Sequence, residues 1–421
     1  MIRALTPLLL GTALILAGNG LLLTSVAVGM RQGGHGLLTT GIVVTGYFVG
    51  FGLGSLRAES VVSRVGHVRA FAGFAAALAA TAVAHVLVAA TPSAWLLLRF
   101  VAGFSVAGLY LVIESWMNTA GEGGKRGRQL SVYMMVVHLA MASGQLLYAL
   151  PAGATAEVQR YAGATFLVCL GALPVSLYTL RAPRLEPAET LSVRTLARRA
   201  PLGLATTLGA GAVAGALYGM GPVFAFQTSI PVGGVATFMT AFVLGGLGFQ
   251  LPMGRLSDRV DRRRVLMAAA GGTALAALLL IPAARAGPAL AIGLSFVMGG
   301  FALTLYPLGL AHVFDCMEGK DALAAAGAVL AGYALGSSAG PLAAAALMRG
   351  LGSDGLLVFV ASVATAVAAH AALRIRRVGP LPVVEQEPFV AMTRTTLAAA
   401  EIDPRTTHAD TPEAEETHGT S

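Results

Sequence analysis

The chain has 421 residues, of which 11 % are charged and 56 % hydrophobic, with 53 glycines and a formal net charge of +8. An average soluble domain carries about 25 % charged residues, and so little charge cannot coat a 42.7 kDa globule. This balance excludes an ordinary soluble enzyme and a disordered chain, and two cysteines exclude a disulfide scaffold.

A membrane-spanning helix needs about 20 apolar residues. Apolar runs broken by charge, proline or glycine predict twelve spans, at 4–30, 36–62, 68–91, 93–119, 129–153, 159–180, 201–228, 231–256, 264–284, 287–316, 321–348 and 354–376. The first run follows Arg3 but is too long for a signal-peptide core, and eleven more spans come after it. An all-α polytopic membrane protein is therefore expected.

Lysines and arginines collect at one side of these spans. That side receives Arg3, Arg57, Arg64, Arg69, Lys125, Arg126, Arg128, Arg181, Arg184, Arg194, Arg198 and Arg199. It also receives Arg255, Arg259, Arg262, Arg263, Arg264, Lys320, Arg374, Arg376 and Arg377, while the other side has only Arg31, Arg160, Arg285 and Arg349. The positive-inside rule makes the rich side cytoplasmic, with both termini inside a cell membrane. The basic charge is then a topology signal and no nucleic-acid partner is expected.

Trp95 and Trp116 bracket span four and read either as interfacial anchors or as packing residues. Cys169 and Cys316 show no pairing logic and are expected as buried free thiols. Residues 1–180 and 201–377 form two six-helix bundles on this reading, joined by a basic cytoplasmic linker at 181–200. Residues 378–421 hold eight acidic residues with little apolar periodicity and are expected to be a disordered cytoplasmic tail.

The two halves share an internal repeat. Val101, Gly103, Leu109 and Tyr110 recur as Val297, Gly299, Leu305 and Tyr306, and Gly144 recurs as Gly340. Ser63 to Arg69 lies over Asp258 to Arg264 at nearly the same offset. Six helices repeated in parallel are the plan of transporters whose two bundles rock about a central site.

The loop Gly254-Arg-Leu-Ser-Asp258-Arg259-Val-Asp-Arg-Arg263-Arg264 resembles the loop signature of the major facilitator superfamily. Arg99-Phe-Val-Ala-Gly103 resembles the superfamily's Arg-x-x-x-Gly motif in span four. The first-half loop departs from the pattern, with Ser63 in place of the acid. Further phrases look like the YcaD-like branch: Gly18-Asn19-Gly20, Gly46-Tyr47-Phe48, Glu114-Ser115-Trp116-Met117-Asn118, Gly144-Gln145-Leu146-Leu147 and Gln250-Leu-Pro252. The resemblance covers residues 1–377. It implies the major facilitator fold, with twelve helices in two pseudo-symmetric bundles, and a transporter of the inner membrane.

Spacing of four places Gly46, Gly50 and Gly54 on one face of span two, and Gly332, Gly336 and Gly340 on one face of span eleven. In the superfamily these helices meet across the halves, so the ridges are expected to form the interdomain packing; the alternative is that each packs within its own half. The Gly336-Ser337-Ser338-Ala339-Gly340 stretch also fits G-x-S-x-G, which is catalytic only at a strand-to-helix elbow. No enzyme is expected, and no cofactor or metal motif appears.

Ionisable groups inside a membrane are costly and usually functional. Arg99 reads as a substrate ligand or as a packing cation. Asn19, Tyr47, His138, Gln145, Tyr218, Gln227 and Tyr306 are the other expected substrate-binding residues, as polar groups on spans that the resemblance places around the cavity. No Asp or Glu falls at mid-depth, so His138 and His312 are the proton-coupling candidates. Glu114, Asp258, Arg259 and Arg263 are expected to form a gate at the basic end. The expected function is secondary transport of a small organic solute by alternating access, by a monomer in the lipid bilayer. An uncoupled facilitator and a non-transporting sensor or scaffold of the same fold are the alternatives.

Overall fold

The computed structural model describes residues 2–88, 91–119, 126–151, 153–177, 191–228, 232–317, 320–379, 382, 386–390 and 396. Lys125, Arg181 and Arg184 of the charge count, much of the 181–200 linker and residues 397–421 lie outside them.

A bilayer offers backbone amides no partners, so a spanning segment must satisfy its own, as a helix does. The described residues form thirteen helices. The first half holds α1 (Ile2–Gln32), α2 (Leu37–Val65), α3 (His67–Leu87), α4 (Pro92–Thr119), α5 (Arg126–Leu147) and α6 (Ala156–Ser176). The short α7 (Val193–Arg199) lies in the linker. The second half holds α8 (Pro201–Gln227), α9 (Val232–Ser257), α10 (Arg262–Ala286), α11 (Pro288–Phe314), α12 (Lys320–Leu351) and α13 (Asp354–Arg377). All but α7 are long and apolar enough to cross a membrane. Leucines and phenylalanines such as Leu53, Leu97, Phe166 and Leu275 point outward from the bundle, a surface suited to lipid.

The repeat is visible in the packing. In the first half α1 packs on α5 and α6, α2 on α4, and α3 on α4 and α6. In the second, α8 packs on α12 and α13, α9 on α11, and α10 on α11 and α13. Close approach in each case needs glycine. A Cβ at Gly103 would stand 1.9 Å from the Tyr47 carbonyl oxygen, and one at Gly299 2.0 Å from that of Phe242. A Cβ at Gly144 would stand 2.2 Å from the Ala17 oxygen, and one at Gly340 2.2 Å from that of Ala212.

These contacts correct the reading of the glycine ridges. Gly46, Gly50 and Gly54 face Leu96, Phe100 and Phe104 of α4. Gly332, Gly336 and Gly340 face Leu204, Leu208 and Ala212 of α8. Both ridges therefore pack within their own halves. At about 100° per residue, Gly41 and Gly52 fall on the opposite face of α2, and they meet Ala345 and Ala334 of α12. This second face carries the contact between the halves, together with Gly219 against Val44 and a bond from Thr240 Oγ1 to the Ala142 oxygen, 3.1 Å. These cross-half contacts run from mid-depth to the end away from the basic loops. Because Gly336 and Gly340 lie within helix α12, the G-x-S-x-G stretch forms no elbow.

Three smaller readings also meet the structure. Trp95 and Trp116 are buried, packed on His85 and Tyr161 and on His67 and Phe71 respectively, so neither is an interfacial anchor. Cys169 and Cys316 are exposed on the protein rather than buried. The segment expected to be a disordered tail is packed against the basic end at residues 386–390 and 396.

Candidate functional site

A cavity of about 80 Å³ lies between the halves at mid-depth. Asn19, Leu23, Tyr47, Phe51, Tyr110 and His138 line it from the first half, and Ala214, Tyr218, Val243, Tyr306, Tyr333 and Ser337 from the second. The wall obeys the repeat. Asn19 corresponds to Ala214, Leu23 to Tyr218, Tyr47 to Val243, Tyr110 to Tyr306, and Val137 to Tyr333. Equivalent helices thus present equivalent positions to one central space.

The wall is aromatic and hydroxyl-rich. Phe51 stacks on Tyr47 and meets Tyr110 edge-on, while Tyr306 and Tyr333 meet edge-on at 5.1 Å between ring centroids. Asn19 Nδ2 donates to the Tyr47 hydroxyl at 3.0 Å. Asn19 Oδ1 is buried with no hydrogen-bond partner among the described residues. His138 Nδ1 lies 2.8 Å from the Met134 carbonyl oxygen, so Nδ1 carries the proton of the neutral ring. No carboxylate, lysine or arginine is among the lining residues.

Five of the expected substrate residues, Asn19, Tyr47, His138, Tyr218 and Tyr306, line this cavity. Three do not. Arg99 lies one layer behind, fully buried, with its guanidinium carbon 4.8 Å from the centre of the Tyr47 ring. Its Nη1 and Nη2 have no hydrogen-bond partner among the described residues. Gln145 is buried between α1 and α5, where its Oε1 accepts from Thr24 Oγ1. Gln227 is exposed at the last residue of α8. Phe51, Tyr110, Tyr333 and Ser337 were missed by polarity alone. The repeat was the signal that could have found Tyr110, since Tyr306 was already singled out.

The expected gate residues do not form one network. Asp261 caps α10: its Oδ1 accepts from the Arg263 amide, and the Arg263 side chain folds back onto the same carboxylate at 2.8 Å. Burial works against the charge on Asp261, but the bonds from Arg263 prevail and hold its carboxyl below the usual range. One residue earlier, Arg262 points into the bundle and pairs at 2.6 Å with Asp315, both side chains almost fully enclosed. Asp258 lies 3.6 Å from Arg262 and accepts from the Phe389 amide. Glu114 accepts from the Tyr133 hydroxyl at 2.8 Å and from Thr396. Arg259 is exposed and makes no ion pair among the described residues. His312 sits at this end too, 4.0 Å from Asp315, and not in the central cavity. The buried Arg262–Asp315 pair was not expected, because the two residues are 53 apart in sequence.

Comparison with known proteins agrees with this geometry. Residues 202–402 match the model of the Major Facilitator Superfamily. A Salmonella typhi protein, YcaD, described as an uncharacterized MFS-type transporter, is 28 % identical over 382 residues, which cover 90 % of this chain and 97 % of that one. Over its second half, then, the chain resembles the Major Facilitator Superfamily. Its fold matches a point mutant of the nucleoside transporter NupG with a TM-score of 0.74 at 14 % identity, over 88 % of this chain and all of that one. It also matches a bacterial homologue of the human lysosomal transporter Spinster, in an inward-facing and occupied conformation, with a TM-score of 0.71 at 14 % identity over 91 % and 98 % of the two chains. The superfamily and YcaD-like resemblance read from the motifs is thus shown, and the proteins it resembles are named transporters rather than enzymes.

Proposed function

We propose that this transporter moves a small, uncharged or amphipathic organic solute by alternating access through the central cavity, with His138 as its proton-responsive group. The observation that carries the reading is the wall itself. Five tyrosines, Asn19, His138 and Ser337 offer hydrogen bonds and aromatic faces, without a fixed charge among the lining residues. Binding sites of this sort are mostly apolar, with a few placed polar groups that set orientation. The Asn19 Oδ1 acceptor has no protein partner among the described residues and suits a donor on the solute. Arg99 stands behind the wall, so an anionic solute loses the cation that would have favoured it.

The arrangement of the halves supports the same reading. They touch from mid-depth to the end away from the basic loops, as an inward-facing transporter would with the basic end in the cytoplasm. Rocking about the small-residue face of α2 and α12 would expose the cavity on the other side.

The test is uptake into vesicles carrying the purified protein, screened over neutral organic solutes with and without a pH gradient. Tyr218→Ala and Tyr306→Ala should each reduce uptake by about tenfold or more, the loss expected for one aromatic contact with a hydrogen bond. His138→Gln should leave uptake but remove its response to the gradient. Uptake of charged solutes only, insensitive to either tyrosine, would overturn the proposal.

A further inference from the structure

Three carboxylates at the basic end of the bundle each accept a backbone amide of the C-terminal segment. Asp315 Oδ1 accepts from the Glu387 amide at 2.9 Å, Asp258 Oδ1 from the Phe389 amide at 2.7 Å, and Glu114 Oε2 from the Thr396 amide at 3.1 Å. The Thr396 hydroxyl donates to the same Glu114 oxygen. Amides two residues apart lie on one edge of an extended chain, which is the geometry of peptide recognition by main-chain bonds. Arg262 adds a bond from Nη2 to the Glu387 carbonyl at 2.5 Å. The Phe389 ring fills a notch that only glycine leaves open, since a Cβ at Gly254 would stand 2.2 Å from Cδ1 of that ring. Thr396, a polar residue of a segment rich in acidic and small residues, is only 5 % exposed.

The site bridges the halves. Asp258, Gly254 and Asp315 belong to the second half, and Glu114 lies near the end of α4 in the first. Glu114 is one turn beyond Tyr110, and its partner Tyr133 is one turn before Val137; Tyr110 and Val137 both line the central cavity. Thr396 therefore sits on the basic-end rim of that cavity.

We propose that the basic end carries a peptide-binding site, filled in this chain by its own residues 386–390 and 396, and that these anchors, one set on each half, strap the halves together and cover the cavity from that side. The strap also takes up Asp258 and Glu114, two of the charges that would otherwise be available to close the basic end. Its effect on solute movement rests on the transport reading above; the occupancy of the site does not.

Hydrogen exchange of the full-length protein in lipid nanodiscs, read by mass spectrometry, tests the site directly. The amides of Glu387, Phe389 and Thr396 should exchange at least about tenfold more slowly than in a free synthetic peptide of the same sequence, as protected amides do. Thr396→Glu, which sets a second carboxylate against Glu114, and Asp258→Ala should bring the rate to within about twofold of the free peptide, while Thr396→Ser should keep the protection. Exchange of the unaltered protein at the free-peptide rate would overturn the site, as would protection untouched by both releasing variants. In a second measurement Cys169 and Cys316 are replaced by serine and Ala214→Cys places a thiol in the cavity wall. Labelling by a membrane-impermeant maleimide from the tail's side should rise at least about fivefold with Thr396→Glu, a change that a shift of about 1 kcal/mol in strap occupancy produces. An unchanged rate would show that the strap does not cover the cavity and would overturn that half of the proposal.

Discussion

Arg99 holds a positive charge inside the first bundle with the Tyr47 ring against it and no hydrogen-bond partner for either terminal nitrogen among the described residues. A cation over an aromatic face contributes about 0.5–2 kcal/mol, whereas a charge at membrane depth costs at least about 2.5 kcal/mol. On these magnitudes the residue is not a stabiliser. Arg99→Gln should therefore keep or raise the melting temperature while lowering uptake, because Tyr47 loses the cation that holds its ring and, through it, the bond from Asn19. A fall in melting temperature with a normal specific rate would mean that Arg99 only packs. The contrast with Arg262 is instructive. Arg262 is equally buried but faces Asp315, and removing one partner of such a pair costs about 3–5 kcal/mol. Asp315→Asn should lower folded yield and melting temperature sharply, and a melting temperature within a degree of the parent would refute the pairing. The sequence marked Arg99 as an intramembrane charge and Arg262 only as one of the basic-end charges, and it named a partner for neither, since partners come from helices distant in the chain.

Among the helices, the glycine pattern has two meanings that spacing alone does not separate. A four-residue repeat defines a face of α2, and the face says nothing of which neighbour it meets. Gly46, Gly50 and Gly54 meet α4, and the less regular Gly41 and Gly52 meet α12 across the halves. Span boundaries were legible to within a few residues for most helices, because lipid imposes one long apolar run per crossing; α5 is shorter than expected, ending at Leu147. The contrast between faces predicts distinct outcomes for added bulk. A Cβ at Gly50 would stand 2.0 Å from the Phe100 carbonyl oxygen, a backbone atom that cannot swing aside. Gly50→Val should cost about 1–3 kcal/mol or more and reduce folded protein. Gly73→Ala, with nothing within 4 Å of the new Cβ, should be silent or slightly stabilising in the same thermal assay. Equal loss from both substitutions would mean that the close helix contact is not what glycine supplies.

At the scale of the whole molecule, the repeat explains why one cavity stands at the centre. Two copies of a six-helix unit present the same positions to a shared space, and substitution within those positions makes the walls differ. Asn19 and Tyr47 face the cavity where the second half has Ala214 and Val243, whereas Tyr218 and Tyr333 face it where the first half has Leu23 and Val137, so the two halves place their polar groups at different positions. The repeat was readable in the sequence from a handful of matches, and so were five of the lining residues. The strap over the basic end was not, since a segment of low apolar content gives no periodic signal and its partners are single carboxylates spread over α4, the α9–α10 loop and the end of α11. The account rests most heavily on the halves rocking about the α2–α12 face, and Gly41 is where this can be forced. A Cβ there would stand 2.4 Å from that of Ala345, so Gly41→Leu obstructs the contact that closes the end away from the basic loops. Spin labels on cysteines at the exposed positions Arg64 and Arg264 report the basic end, and labels at Gln32 and Arg349 report the other. With Cys169 and Cys316 replaced by serine, pulsed dipolar spectroscopy in lipid nanodiscs should show Gly41→Leu shortening the basic-end distance and lengthening the opposite one. Distances that stay fixed at both ends, or that lengthen at both, would contradict alternating access through this cavity.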